Sequence, residues 1–129
     1  MARRVYDFTV DLTKPMKIQS LGSIMGLGDK EADAIDIKLV SDGGPLYVYD
    51  GSVRGRVVRP DGKTYIFDAT NPIAQHYMIT LPAEAYEVPG TITISAVYSK
   101  ADAYDTTLLI LTAYVHRTVT SDVVDLNDE

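Results

Sequence analysis

Val53-Arg54-Gly55-Arg56-Val57-Val58-Arg59-Pro60-Asp61-Gly62-Lys63-Thr64-Tyr65-Ile66-Phe67 holds the clearest local signal in the chain. Val53 and Val57 alternate with Arg54 and Arg56, the period of two that marks a strand with one buried face. Pro60 presets the first turn position, and Gly62 after Asp61 suits a left-handed one. The stretch therefore predicts a β-hairpin that joins Val53–Val58 to Thr64–Phe67 across Arg59–Lys63.

The same period extends in both directions. Upstream, Tyr6, Phe8, Val10 and Leu12 share one face while Asp7, Thr9 and Asp11 share the other. Ile35, Ile37 and Leu39 alternate with Asp36 and Lys38 until Ser41-Asp42-Gly43-Gly44-Pro45 stops the run, and a short Leu46-Tyr47-Val48 piece follows. Downstream, His76–Leu81 points Tyr77, Ile79 and Leu81 inward. Pro82-Ala83-Glu84-Ala85-Tyr86 suffices for one helical turn before Val88-Pro89-Gly90 ends it. Thr91–Tyr98 and Thr106–Thr118 are two long strands, joined by the polar loop Ser99–Asp105. Seven to eight strands at even spacing with one short helical turn predict an all-β fold, an antiparallel β-sandwich of the immunoglobulin-like kind. A Cys pair and a core Trp are both absent, so the kinship with immunoglobulin domains is architectural, and a closed barrel satisfies the same periodicity. Residues 1–120 read as a single domain and residues 121–129 as an acidic C-terminal tail.

Composition narrows the chemistry. The chain has 129 residues, 12 Lys and Arg against 18 Asp and Glu, a net charge of −6 and no Cys. A chain of this length buries enough surface to fold without a staple. Zero Cys excludes thiolate zinc sites, iron–sulfur clusters, disulfides and a cysteine nucleophile. An acidic chain is a poor match for the phosphate backbone, so no nucleic-acid partner is expected. No apolar run approaches the ~20 residues of a bilayer span, and Met1-Ala2-Arg3-Arg4 leads into charged sequence rather than an export signal, so no membrane is expected either.

No group of residues converges on catalysis. His76 and His116 fall on strand faces away from the core without metal-ligand spacing, and no Gly-x-Ser-x-Gly elbow is present. The carboxylate pairs Asp7/Asp11 and Asp102/Asp105 read as solubilising groups. The glycine-rich Leu21–Asp29 stretch lacks a nucleotide-loop pattern and reads as a connector between sheets. The expectation is a protein that is not an enzyme, with no catalytic residue, no metal and no cofactor.

Docking is the remaining theme. Arg3, Arg4, Arg54, Arg56, Arg59 and Lys63 form a basic subset suited to an acidic protein surface, and Asp122, Asp125, Asp128 and Glu129 give the tail the opposite sign. Complementary ends of this kind suit clamping between copies or onto a larger partner. Nine Tyr stand against two Phe, and Tyr47, Tyr49, Tyr98 and Tyr104 lie in or beside turns, where they would serve an interface or stack on a glycan.

Several short motifs occur in an order shared with a known group. They are Val10-Asp11-Leu12, Gly28-Asp29, Ile35-Asp36-Ile37-Lys38-Leu39, Asp42-Gly43-Gly44-Pro45, Arg59-Pro60-Asp61-Gly62, Leu81-Pro82-Ala83-Glu84-Ala85-Tyr86 and Pro89-Gly90. Across roughly residues 5–118 the chain resembles the N-terminal immunoglobulin-like domain of baseplate upper proteins from tailed bacteriophages. The resemblance implies a structural virion protein, synthesised in the host cytoplasm, whose partners are other virion proteins of the tail, baseplate or capsid. It also implies a homo-oligomer, with a trimer as the family precedent. In the family this domain opens a longer chain; a sequence that reaches Glu129 with no stalk or receptor-binding head is expected to act as a free-standing domain. The expected role is thus an adaptor for fibre or receptor-binding components at the tail or baseplate, with capsid decoration or head-fibre anchoring as one alternative and a carbohydrate-binding module as another.

Overall fold

The computed structural model describes residues 4–23, 25–45, 51–73, 75–100 and 104–117. They form a two-sheet β-sandwich with a single 3₁₀ turn. The strands in chain order are β1 (Arg4–Asp11), β2 (Lys17–Ser20), β3 (Met25–Gly26), β4 (Asp33–Ser41), β5 (Gly44–Pro45) and β6 (Gly51–Val58). They continue with β7 (Thr64–Asp68), β8 (Thr70–Ile73), β9 (His76–Thr80), β10 (Gly90–Lys100) and β11 (Tyr104–His116), and the 3₁₀ turn at Ala83–Tyr86 precedes β10. One sheet runs β1-β4-β9-β8, with β5 paired to β4; the other runs β2-β11-β10-β6-β7, with β3 paired to β11.

The hairpin forms where the sequence places it. β6 and β7 pair antiparallel from Val58 opposite Thr64 to Arg54 opposite Asp68. The turn closes with the Arg59 amide donating to the Lys63 carbonyl at 2.9 Å and the Gly62 amide to the Arg59 carbonyl at 3.0 Å. Gly62 sits at φ 87°, which a side chain would make costly. Gly55, midway along β6, faces inward: a Cβ there would lie 2.6 Å from the Phe67 ring and 2.7 Å from Ile79 of the opposite sheet. The missing side chain is the space that Phe67 occupies.

Alternation fills the core. Phe8 and Val10, then Ile35, Ile37 and Leu39, then Tyr77 and Ile79 line the inner face of one sheet. Val53, Val57, Ile92, Ile94, Ala96, Leu109, Leu111, Ala113 and Val115 line the other. Leu81, just after β9, and Ala85 and Tyr86 of the 3₁₀ turn join the same core.

Two features depart from the sequence-based expectation. The described residues hold eleven strands rather than seven or eight, because short pieces such as the fully exposed β2 carry no hydrophobic signature and depend on pairing with β11. The sheets are also mixed rather than purely antiparallel: β1 runs parallel to β4, and β2 and β3 run parallel to β11. The cause is a crossover, since the chain leaves the first sheet after β1, adds β2 and β3 to the second, and returns as β4 in the same direction. The glycine-rich segment is part of that route, and Met25 within it is buried. Ser99, Lys100 and Asp105, expected in the loop, extend the β10–β11 ladder.

Candidate functional site

Three side-chain groups dominate the polar structure, and they differ in what they leave available. The first is closed. Period two carried back from Ile35 turns Asp33 inward, and carried back from Phe8 it turns Tyr6 and Arg4 to the same side. Parallel register then sets Arg4 beside Asp33. The Arg4 guanidinium donates from Nε to Oδ1 at 2.6 Å and from Nη2 to Oδ2 at 2.9 Å. The Tyr6 hydroxyl donates to Oδ1 at 2.9 Å and the Tyr86 hydroxyl to Oδ2 at 2.8 Å, while the Asp33 amide donates to the Tyr86 oxygen at 3.2 Å. Arg4 also reaches Asp29 at 3.2 Å, and Asp29 in turn accepts from the Gly26 amide.

Asp33 has no exposed surface. Burial opposes its ionisation, but the donors from Arg4, Tyr86 and Tyr6 outweigh burial and hold its carboxyl below the usual range. Burial, reinforced by the Asp33 charge, pushes Tyr6 up to about 12 and Tyr86 higher still. The group binds the start of β1, the start of β4 and the 3₁₀ turn into one unit. Asp33, Tyr6, Tyr86 and Asp29 escaped the sequence reading, although extending the Ile35-Ile37-Leu39 face back by one step points to Asp33.

The second group is nearly closed. Arg59 is only 6% exposed. Its guanidinium pairs with Asp61, donates to Glu87 at 2.7 Å and to the Glu84 carbonyl at 3.3 Å, and lies over the Tyr65 ring at 5.2 Å. The Arg59 bonds hold the Asp61 carboxyl down at about 2. Arg59 thus fastens the hairpin turn to the 3₁₀ segment.

The third group is open. Arg54 and Arg56 project from the outer face of the six-stranded sheet, where Arg56 lies opposite Ser95 on one side and Ile66 on the other. Ser95 lies opposite Ile110, and Ile110 opposite Ile18, so one row crosses five strands. Its end members are bare, Ile66 at 53% and Ile18 at 69% exposure. Arg54 makes a long ion pair to Asp68 at 3.5 Å.

The residues singled out by sequence therefore separate. Arg54, Arg56 and Lys63 are exposed, whereas Arg4 is committed to the buried Asp33 and Arg59, itself buried, to the surface carboxylates Asp61 and Glu87. Tyr98 is 4% exposed, because its place in β10 puts it on the inner face with Ile92, Ile94 and Ala96; it cannot stack on a glycan. Arg3, Tyr47, Tyr49, Asp122, Asp125, Asp128 and Glu129 lie outside the described residues, and Tyr104 opens β11. His116 packs edge-on against Tyr114 at 4.7 Å on the outer face, and His76 meets Asp36 at 3.0 Å. Among the described residues, no cluster of three or more His, Cys, Asp or Glu is arranged to hold a metal ion.

No family model matches the chain, and no curated protein matches its sequence. Among solved structures, the chain is similar to the N-terminal domain of phage TP901-1 ORF48. The TM-score is 0.57 at 12% identity, over 88% of this chain and 98% of that one. At that identity the likeness is one of fold.

Proposed function

We propose that this chain is a non-enzymatic structural protein of a tailed-phage virion, an immunoglobulin-like module that docks at the tail or baseplate as an adaptor for fibre or receptor-binding components. The observation that carries the reading is the fold likeness to a phage protein's N-terminal domain, which spans nearly all of that domain. The order of short motifs along residues 5–118 supports it independently. In addition, the polar clusters described above are spent on rigidity, and the exposed row on the six-stranded sheet is a surface suited to contact. In this reading residues 1–120 are the docking module, and the acidic residues 121–129 are a contact segment for a basic neighbour. The carbohydrate-binding alternative loses Tyr98 to the core.

Gold-labelled antibody against the chain, applied to purified virions of the source phage, tests the assignment. Label at the tail tip is expected. Label over the head would replace the adaptor role with capsid decoration, and a chain missing from particles would overturn the virion reading.

A further inference from the structure

A shallow hollow on the outer face of the six-stranded sheet lies between Arg54, Arg56, Ile66 and Val97, with Ser99 and Asp105 at its rim. Arg54 is half-satisfied by Asp68 at 3.5 Å. Arg56 is exposed and has no carboxylate within ion-pair distance among the described residues. Beside it stands the bare Ile66. Nothing in the packing of the sandwich uses this arrangement of two cations around an aliphatic side chain.

The outer face of the five-stranded sheet carries the counterpart. Asp7 of β1 and Asp36 of β4 are register partners on adjacent strands. Carboxylates so placed are about 4.8 Å apart at the backbone and repel each other. Asp36 is relieved by His76 at 3.0 Å, but Asp7 is exposed and has no cationic partner among the described residues. Val5, two residues before Asp7 and on the same face, is 47% exposed, and Lys38 follows in the next row.

We propose that these two faces are the halves of a contact between copies of this chain, with the Asp7–Asp36 pair of one copy seated on Arg54 and Arg56 of the next. Val5 then covers Ile66 on β7, and Lys38, on the other side of the carboxylate pair, falls toward Asp105 of β11, so charge and apolar surface match at the same time. The carboxylates are paired across strands, whereas the arginines are spaced along one strand by about 6.6 Å. The two sheets therefore meet with their strands nearly crossed. Because the faces lie on opposite sides of one sandwich, each copy offers one of each kind and the contact is heterologous. Copies add in the same sense and generate a ring or an open row. The contact is a property of the chain itself and stands or falls separately from its location in a virion.

Sedimentation velocity on the 129-residue chain tests it. Wild type is expected to self-associate with concentration, and added salt should weaken the association. Arg56→Asp and Asp7→Arg, both on exposed positions, should each weaken it by roughly tenfold or more, because each places like charges face to face. An equimolar mixture of the two variants should associate again, since the intact face of each meets the intact face of the other. Arg56→Asp and Asp7→Arg combined in one chain should likewise recover association. A wild type that stays monomeric throughout overturns the proposal, as do single reversals that associate like wild type or a mixture that stays monomeric. Circular dichroism on each variant verifies that the fold is kept.

Discussion

The oxygens of Asp33 take hydrogen bonds from Arg4, Tyr6 and Tyr86 while the carboxylate itself is cut off from water. A buried ion without its partners is expensive, so the arrangement is intolerant of partial removal. Tyr86→Phe removes one donor and is expected to cost about 1–3 kcal/mol. Arg4→Ala leaves the buried charge without its cation and is expected to cost about 3–5 kcal/mol. Urea denaturation of the two variants checks both values, and an Arg4→Ala loss smaller than that of Tyr86→Phe would contradict the picture. Gly55 makes the opposite argument from space. An added methyl would meet both Phe67 and Ile79, so Gly55→Ala should destabilise by about 1–3 kcal/mol, readable in the same experiment. The inward parity of Asp33 was legible from its neighbours. Its partners were not, because Arg4, Tyr6 and Tyr86 lie 29, 27 and 53 residues away and nothing local announces that they meet.

Among the elements, the hairpin β6–β7 was the most legible, since Pro60, Asp61 and Gly62 encode their turn within a few residues. Its attachment was not. Arg59 reads as a surface cation in a basic run, yet the fold folds the turn against the 3₁₀ segment and buries the guanidinium against Glu87 and the Glu84 carbonyl. Gly90 is the hinge of that attachment: it lies at φ 126°, and a Cβ there would stand 2.8 Å from the Pro60 ring. Gly90→Ala should therefore cost about 1–3 kcal/mol from backbone strain alone. Hydrogen exchange should show faster exchange at the Arg59 and Gly62 amides of the turn in this variant, and unchanged protection there would separate the turn from β10. Strands β2, β3 and β8 escaped notice for a different reason. They are short edge or add-on pieces whose hydrogen bonds come from β11 and β9, so their existence depends on a partner strand rather than on their own pattern.

For the whole molecule, three carboxylates make stability depend on acid. Asp11 is held down at about 2, chiefly by the Thr13 hydroxyl and amide and then by the amides of Asp42 and Gly43. Asp61 is held at about 2 by Arg59, and Asp33 is lowered against its burial. Each binds its proton more weakly in the folded state than in the unfolded one, where the usual value is 3.8. Their stabilisation is complete above that value and is lost as pH falls from 4 toward 2. At the alkaline end the sign reverses. Tyr6 and Tyr86 hold their protons more tightly when folded, so their contribution is present below pH 10 and lost as pH rises, that of Tyr6 through about 12 and that of Tyr86 higher still. Urea midpoints measured across pH should therefore form a plateau with shoulders falling below 4 and above 10, and a flat profile into acid would contradict the carboxylate assignments.

Composition and period-two alternation by themselves determined the all-β class, the inner face of nearly every long strand and the tight turn at Arg59–Lys63, because each of these is written within a few residues. Only the tertiary structure decided which charges remain available. Six basic residues form a single class along the sequence, but the crossover that makes β1 parallel to β4 commits Arg4 to Asp33 and the folded-back turn commits Arg59 to Glu87, leaving Arg54 and Arg56 on an open face. The physical reason is that a charge is spent or free according to what lies across from it in space, and strand pairing, not chain order, sets that neighbour.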